Sequence, residues 1–131
     1  MATDYGIKFN HINSKDGLSL NSVHSFLQDH QGFIWISTRD GLNKYDGIDF
    51  TVYRSDTKDP STIGGNDVNM MIEDSENTLW VGVHQGGLNR YNRELDTFTP
   101  FKHDSEDSTS IQNNLVNDIV EDFDFNTLWV A

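Results

Sequence analysis

Apolar residues in this chain come in short runs cut at regular intervals by Gly, Asp and Asn, which is the rhythm of strands and hairpins. Val23 to Gln28 is a first apolar-rich run, and Asp29 with Gly32 supplies the turn into Phe33 to Thr38. Gly41 breaks the chain again. Leu42 to Tyr45 gives a third run, and Asp46-Gly47 is a hairpin signal leading to a fourth through Phe50, Val52 and Tyr53. A second set follows at Met70 to Glu73, Leu79 to Val83, Leu88 to Tyr91 and Phe98 to Phe101. A helical reading fails, because Gly or a turn cluster interrupts every stretch that could hold apolar residues at i, i+3, i+4 and i+7. The pattern predicts an all-β chain.

The two sets are copies of one unit. Asn21-Ser22-Val23, Asp29, Trp35 and Gly41-Leu42-Asn43-Lys44-Tyr45 align with Asn66-Asp67-Val68, Asp74, Trp80 and Gly87-Leu88-Asn89-Arg90-Tyr91. A third copy begins at Asn114-Leu115-Val116, passes Asp122 and reaches Leu128-Trp129-Val130. The period of 45 to 49 residues falls in the range of propeller blades and other repeat arrays. Four short strands per unit, with each twisted sheet burying its faces on its neighbours, is the arrangement of a β-propeller. The expected organisation is an N-terminal segment (1–20), four-stranded antiparallel blades at 21–65 and 66–113, and the first two strands of a third at 114–131. That is about two and a third blades of an incomplete propeller. Trp35, Trp80 and Trp129 occupy equivalent places inside alternating strands and are expected to fill the gaps between blades.

The segment Phe9-x-x-Ile12 matches Phe50-x-x-Tyr53 and Phe98-x-x-Phe101, so it reads as a fourth strand that closes the last blade of a longer protein. Closing a propeller takes about four blades or more. The open strand edge and blade faces therefore predict self-association, with the N-terminal strand of one copy joining the half blade of another.

Charge narrows the choice of partner. Nine Lys and Arg against 21 Asp and Glu give a formal charge of -12, a potential that repels phosphate backbones, so nucleic acid is not an expected partner. With no cysteine there is neither a disulfide nor a thiolate metal site. No apolar run approaches the roughly 18 to 20 residues that span a bilayer, and Met1-Ala2-Thr3-Asp4-Tyr5 lacks the pattern of a signal peptide. No direct membrane contact is expected of this segment.

Candidate chemistry is sparse. Asp29, Asp74 and Asp122 recur at one place in every unit, which suits turn formation better than the paired carboxylates of glycoside hydrolysis. Asp122-Phe123-Asp124-Phe125-Asn126 opens like a calcium loop, but Thr127 stands where that loop needs Gly and no Glu closes it. His11, His24, His30, His84 and His103 show no HxH or HxxxH spacing, and neither GxSxG nor a phosphate loop occurs. No catalytic residue, metal or cofactor is expected. What does vary between units is the link from second to third strand, Arg39-Asp40 in one and His84-Gln85-Gly86 in the other. Such links gather on one face of a propeller, so Arg39, Asp40, His84 and Gln85 are the candidate ligand-binding residues.

In sum of motifs, Asn-x-Val, Asp-x-x-Gly-x-x-Trp and Gly-Leu-x-x-Tyr, the chain from 21 to 131 resembles the two-component-regulator propeller repeat. Ser37 stands where that pattern has Gly, Val83 where it has Thr, and Asn77 where it has the turn Gly. Phe9-Asn10-His11-Ile12 and Asp16-Gly17-Leu18-Ser19 look like the lead-in to the first propeller of hybrid two-component sensors of Bacteroides-type bacteria. The resemblance implies the periplasmic ectodomain of an inner-membrane sensor whose parent is a histidine kinase and whose ligand is an oligosaccharide. On that footing the region senses carbohydrate without being an enzyme. A protein-interaction scaffold and a propeller glycosidase or lyase are the alternatives.

Overall fold

Every turn signal closes a hairpin in the computed structural model, which describes residues 6–131. The first four-stranded antiparallel sheet contains β1 (Val23–Gln28), β2 (Ile34–Thr38), β3 (Gly41–Tyr45) and β4 (Phe50–Tyr53) in sequence order. The second contains β5 (Val68–Glu73), β6 (Leu79–Val83), β7 (Gly87–Asn92) and β8 (Thr97–Phe101), again in order. A third sheet has two strands, β9 (Ile119–Asp122) and β10 (Thr127–Val130). Apart from a 3-10 turn at Ser14–Asp16, no helix occurs among the described residues. The copies share even their irregularity, since the register of β1 on β2 shifts between Val23 and Ser25 and that of β5 on β6 between Val68 and Met70.

The repeated aspartates act as turn formers and also reach into the core. Asp29 Oδ1 accepts from the main-chain N–H of Gln31 and Phe33, and Asp74 Oδ1 from Glu76 and Thr78. Gly32 takes a φ of 91° in its hairpin and Asn77 one of 63° in the next. Asn is the side chain best suited to replace Gly there, because it tolerates the left-handed region. The other oxygen of each carboxylate accepts the indole N–H of its own blade, from Trp35 and Trp80 at 2.8 Å and from Trp129 at 3.1 Å.

The sheets lie face against face. Trp35 and Leu42 of the first form one buried core with Val68, Met71, Val81, Tyr91 and Phe98 of the second. The Trp35 ring stacks on Tyr53 at 5.7 Å and meets Tyr91 edge-on at 4.9 Å. Truncating so enclosed a tryptophan costs about 3–5 kcal/mol. A second core joins Leu88, Trp80 and Ile72 to Val116 and to Ile119 and Leu128 of the third sheet. The innermost strands adjoin one another in turn, β1 beside β5 and β5 beside β9. These are successive blades of a propeller.

One expectation needs correction. The tryptophans are not equally buried: Trp35 is fully enclosed, Trp80 half-buried and Trp129 64% exposed. Each depends on the sheet that follows: a four-stranded sheet follows that of Trp35, a two-stranded one that of Trp80, and among the described residues no further sheet packs on Trp129. Beside Trp80 the uncovered part remains as an open hollow of about 570 Å³ lined with Leu88, Phe101 and Ile111. Residues 9–12 form no strand, and Phe9 is 83% exposed. An extended segment needs a neighbouring edge to pair with, and none of the sheets described above adds a strand there.

The connections between blades are ordered turns and not slack polar links. Asp56 and Asp59 cap the main-chain N–H of Lys58 and Ser61, while Asp104 and Asp107 do the same for Glu106 and Thr109. The repeat thus extends through the loops.

Candidate functional site

The motif asparagines fix the loop edge of the blades. Gly41 N–H donates to the Asn66 carbonyl at 2.7 Å and Gly87 N–H to that of Asn114 at 2.9 Å, so each second-to-third-strand turn is tied to the start of the next blade. The Oδ1 of Asn66 and of Asn114 accepts from Ser55 and His103 N–H, both at 2.7 Å. The buried asparagines of the Gly-Leu-Asn motif hold the connections from below. Asn43 Oδ1 accepts from Ser19 N–H at 2.9 Å, and Asn89 Oδ1 from Gly64 N–H at 2.8 Å.

Contacts between adjacent blades also repeat bond for bond. His24 Nδ1 lies 2.9 Å from the Val68 carbonyl, and since a carbonyl only accepts, the proton sits on Nδ1. Asn69 Nδ2 makes the equivalent bond to Val116 at 2.9 Å. At the opposite edge, His30 meets the Glu73 carboxylate through its main-chain N–H at 2.9 Å and Nδ1 at 3.0 Å. Ser75 meets Glu121 in the same way through N–H and Oγ. Arg93 has no counterpart in the first unit and bridges Asp29, at 2.8 Å, to Glu73. Burial alone would raise the Asp29 carboxyl, but the bonds from Trp35 and Arg93 outweigh it and hold the pKa below the ordinary value.

Within this frame stand the variable residues. Arg39 is exposed, and its side chain makes no hydrogen bond or ion pair with the described residues. Asp40 is committed: Arg54 donates to it at 2.9 and 3.2 Å, and those bonds keep its carboxyl below the usual range. His84 donates its main-chain N–H to the Asp67 carbonyl at 2.8 Å and leaves its ring exposed. Gln85 follows with a φ of 57°, a left-handed position that turns the loop back. The two turns flank Asn66-Asp67, one bonded to each residue, so Arg39, Asp40, His84 and Gln85 share one edge. Gly64 and Gly86 bring the connection against the second turn, where a Cβ on Gly64 would stand 2.4 Å from the Gly86 carbonyl oxygen.

Sequence reasoning missed two members of this edge. Arg54 neutralises Asp40, and Asp67 presents a shielded Oδ1 that accepts no hydrogen bond and lies 3.9 Å from His24 Nδ1. The available signal for Asp67 was its place at the variable x of Asn-x-Val, where Ser22 and Leu115 stand in the other units. No group of three or more His, Asp or Glu able to hold a metal gathers among the described residues.

Like blades in series, with a constant hydrogen-bonded frame and changing turns at one edge, define a β-propeller repeat. The particular kind the chain is similar to is the two component regulator propeller, whose family model matches residues 17–40 and 62–85. Over 48 residues, 37% of its length, the chain is 50% identical to histidine kinase P4 of Formosa agariphila, and the match covers 4% of that protein. The crystal structure of the extracellular domain of BT3049 from B. thetaiotaomicron, described as a hybrid two component system, is similar with a TM-score of 0.84 and 34% identity. That likeness covers 92% of this chain and 17% of the solved one.

Proposed function

We propose that this chain is part of the extracytoplasmic sensing region of a hybrid two-component system, acting by binding and not by turnover. In this reading an oligosaccharide is received at the loop edge and the signal passes to a histidine kinase. Its likeness to an extracellular domain of such a system and to a histidine kinase supports the setting. The observation that carries the site is the contrast between frame and turns. Asn66 and Asn114 hold both turns by the same bond and Asn43 and Asn89 hold the connections beneath them, while Arg39 and His84 differ in chemistry and stand exposed. Exposed guanidinium and imidazole groups offer the planar donors that sugar hydroxyls accept from.

The test is calorimetric titration of the complete ectodomain with a panel of defined oligosaccharides. Binding of one class, weakened about tenfold or more by Arg39→Ala or His84→Ala, is the expected result; a tenfold loss corresponds to about 1.4 kcal/mol. Oligosaccharide binding indifferent to both substitutions would move the site elsewhere, and turnover of a glycan would overturn the non-enzymatic reading.

A further inference from the structure

We infer that the ligand received at the loop edge is an oligosaccharide bearing an isolated uronate, that Arg39 takes its carboxylate, and that Arg54 keeps Arg39 free by holding Asp40. The inference rests on the sensing role proposed above and gives the chemical class of ligand for the same site.

Of the four arginines in the chain, Arg54 is bonded to Asp40, Arg93 bridges Asp29 and Glu73, and the Arg90 guanidinium lies 5.9 Å from the centre of the Phe101 ring. Arg39 is exposed and has no such partner among the described residues, although 21 acids face nine bases in the chain. The acid next to it in sequence is held elsewhere. Arg54 donates Nε to Oδ1 and Nη2 to Oδ2, so both carboxylate oxygens of Asp40 are engaged. This pair depends on Gly41, whose φ is 113°: a Cβ there would stand 2.6 Å from the Tyr53 carbonyl oxygen and 3.3 Å from Arg54 Cγ. Without that Cβ the end of β4 lies against the turn and brings Arg54 to Asp40.

The second unit supplies the control. Gly87 repeats Gly41, with Phe101 and Lys102 in the places of Tyr53 and Arg54. Gln85 then stands where Arg39 does, and Gly86 where Asp40 does. That turn has neither a guanidinium nor a carboxylate to be kept from it. The acid, the arginine that holds it and the unpaired arginine occur together in one unit.

A guanidinium presents parallel N–H donors that match the two oxygens of a carboxylate, which no single hydroxyl offers. The rest of the edge limits how much charge a ligand can carry. Asp67, on the next blade, is part-exposed, and its shielded Oδ1 accepts no hydrogen bond, so it repels a second acidic group along this edge. The charge of -12 opposes a dense polyanion altogether. One carboxylate among hydroxyl-bearing rings is the pattern that fits.

The test is calorimetric titration of the complete ectodomain with oligosaccharides that carry one uronate ring, each beside its own methyl ester. The expected result is an acid that binds about tenfold or more tighter than its ester, with Arg39→Gln erasing the difference. Arg54→Ala releases Asp40 beside Arg39 and should weaken the acid about threefold, the effect of one unit charge about 6 Å away in water. The ester should not respond. Adding Asp40→Asn to Arg54→Ala should restore binding of the acid, which a purely structural role for Arg54 would not allow; no recovery overturns that role. Acid and ester binding alike, with Arg39 still required, overturns the uronate and leaves the sensing role standing. Binding of no glycan of any charge ends both.

Discussion

Asp29 Oδ2 accepts the indole N–H of Trp35 at 2.8 Å, so one carboxylate both closes a surface turn and aims the largest ring of the core. Asp74 does the same for Trp80, but without the arginine that also reaches Asp29. A turn residue thereby sets the depth and tilt of the side chain on which the next blade packs.

Removing Asp29 leaves the buried Trp35 N–H without its acceptor and Arg93 with Glu73 as its one remaining carboxylate. Asp74→Ala is expected to cost about 1–3 kcal/mol for lost hydrogen bonds, and Asp29→Ala more than Asp74→Ala, because one of the two ion pairs of Arg93 is lost with them. Urea unfolding of the two variants ranks them. The depressed pKa of Asp29 adds a pH signature: its contribution is fully present above the ordinary carboxylate pKa and is lost as pH falls through the lower folded value. Acid unfolding followed by tryptophan fluorescence should show that contribution in the wild type and not in Asp29→Asn.

His24 and Asn69 make the same bond to the next blade, His24 through Nδ1 and Asn69 through Nδ2. His24→Asn should therefore change stability by less than about 0.5 kcal/mol, while His24→Ala loses the bond and about 1 kcal/mol. Equal losses for the two substitutions in denaturant melts would show that the imidazole matters for some reason other than this donor.

Gly87 has a φ of 72°, and a Cβ there would stand 2.3 Å from the Phe101 carbonyl oxygen. Gly32 has a φ of 91° but nothing within 4 Å. Gly87→Ala combines backbone strain with a clash against main chain, and is expected to destabilise by about 2 kcal/mol or more, against roughly 1 kcal/mol for Gly32→Ala. Thermal melts of both variants check the order.

Tyr53 and Tyr91 both donate to Asp96 Oδ1, at 2.7 and 2.6 Å. Burial first, and the bond to Asp96 second, raise both phenols, Tyr91 to about 12. Their contribution to stability is present below the ordinary tyrosine pKa of about 10 and is lost as pH rises through the folded values. Ultraviolet titration should find these two phenols still protonated at a pH where free tyrosine, with its ordinary pKa of about 10, has ionised, and Tyr91→Phe should remove one late step.

Much of the fold was legible because the repeat supplied its own control. Turn residues recurring at Asp29, Asp74 and Asp122 could be separated from strand residues by position alone, and β1 and β6 span the residues read from the sequence. The indole bond of each aspartate could not be read, since it requires the side chains of two strands to meet across a hairpin. The loop edge was half legible: variation marked Arg39 and His84, but only the fold showed that Arg54 already occupies Asp40.

Sequence alone determined the local chemistry of this protein, namely which residues turn, which alternate, and how often the unit returns. Those choices depend on backbone sterics and on neighbours a few residues away. Tertiary structure decided burial and partnership. Three tryptophans in one sequence context end fully enclosed, half-buried and 64% exposed, because the hydrophobic effect acts on the area that another sheet covers, and no residue carries that cover within its own strand.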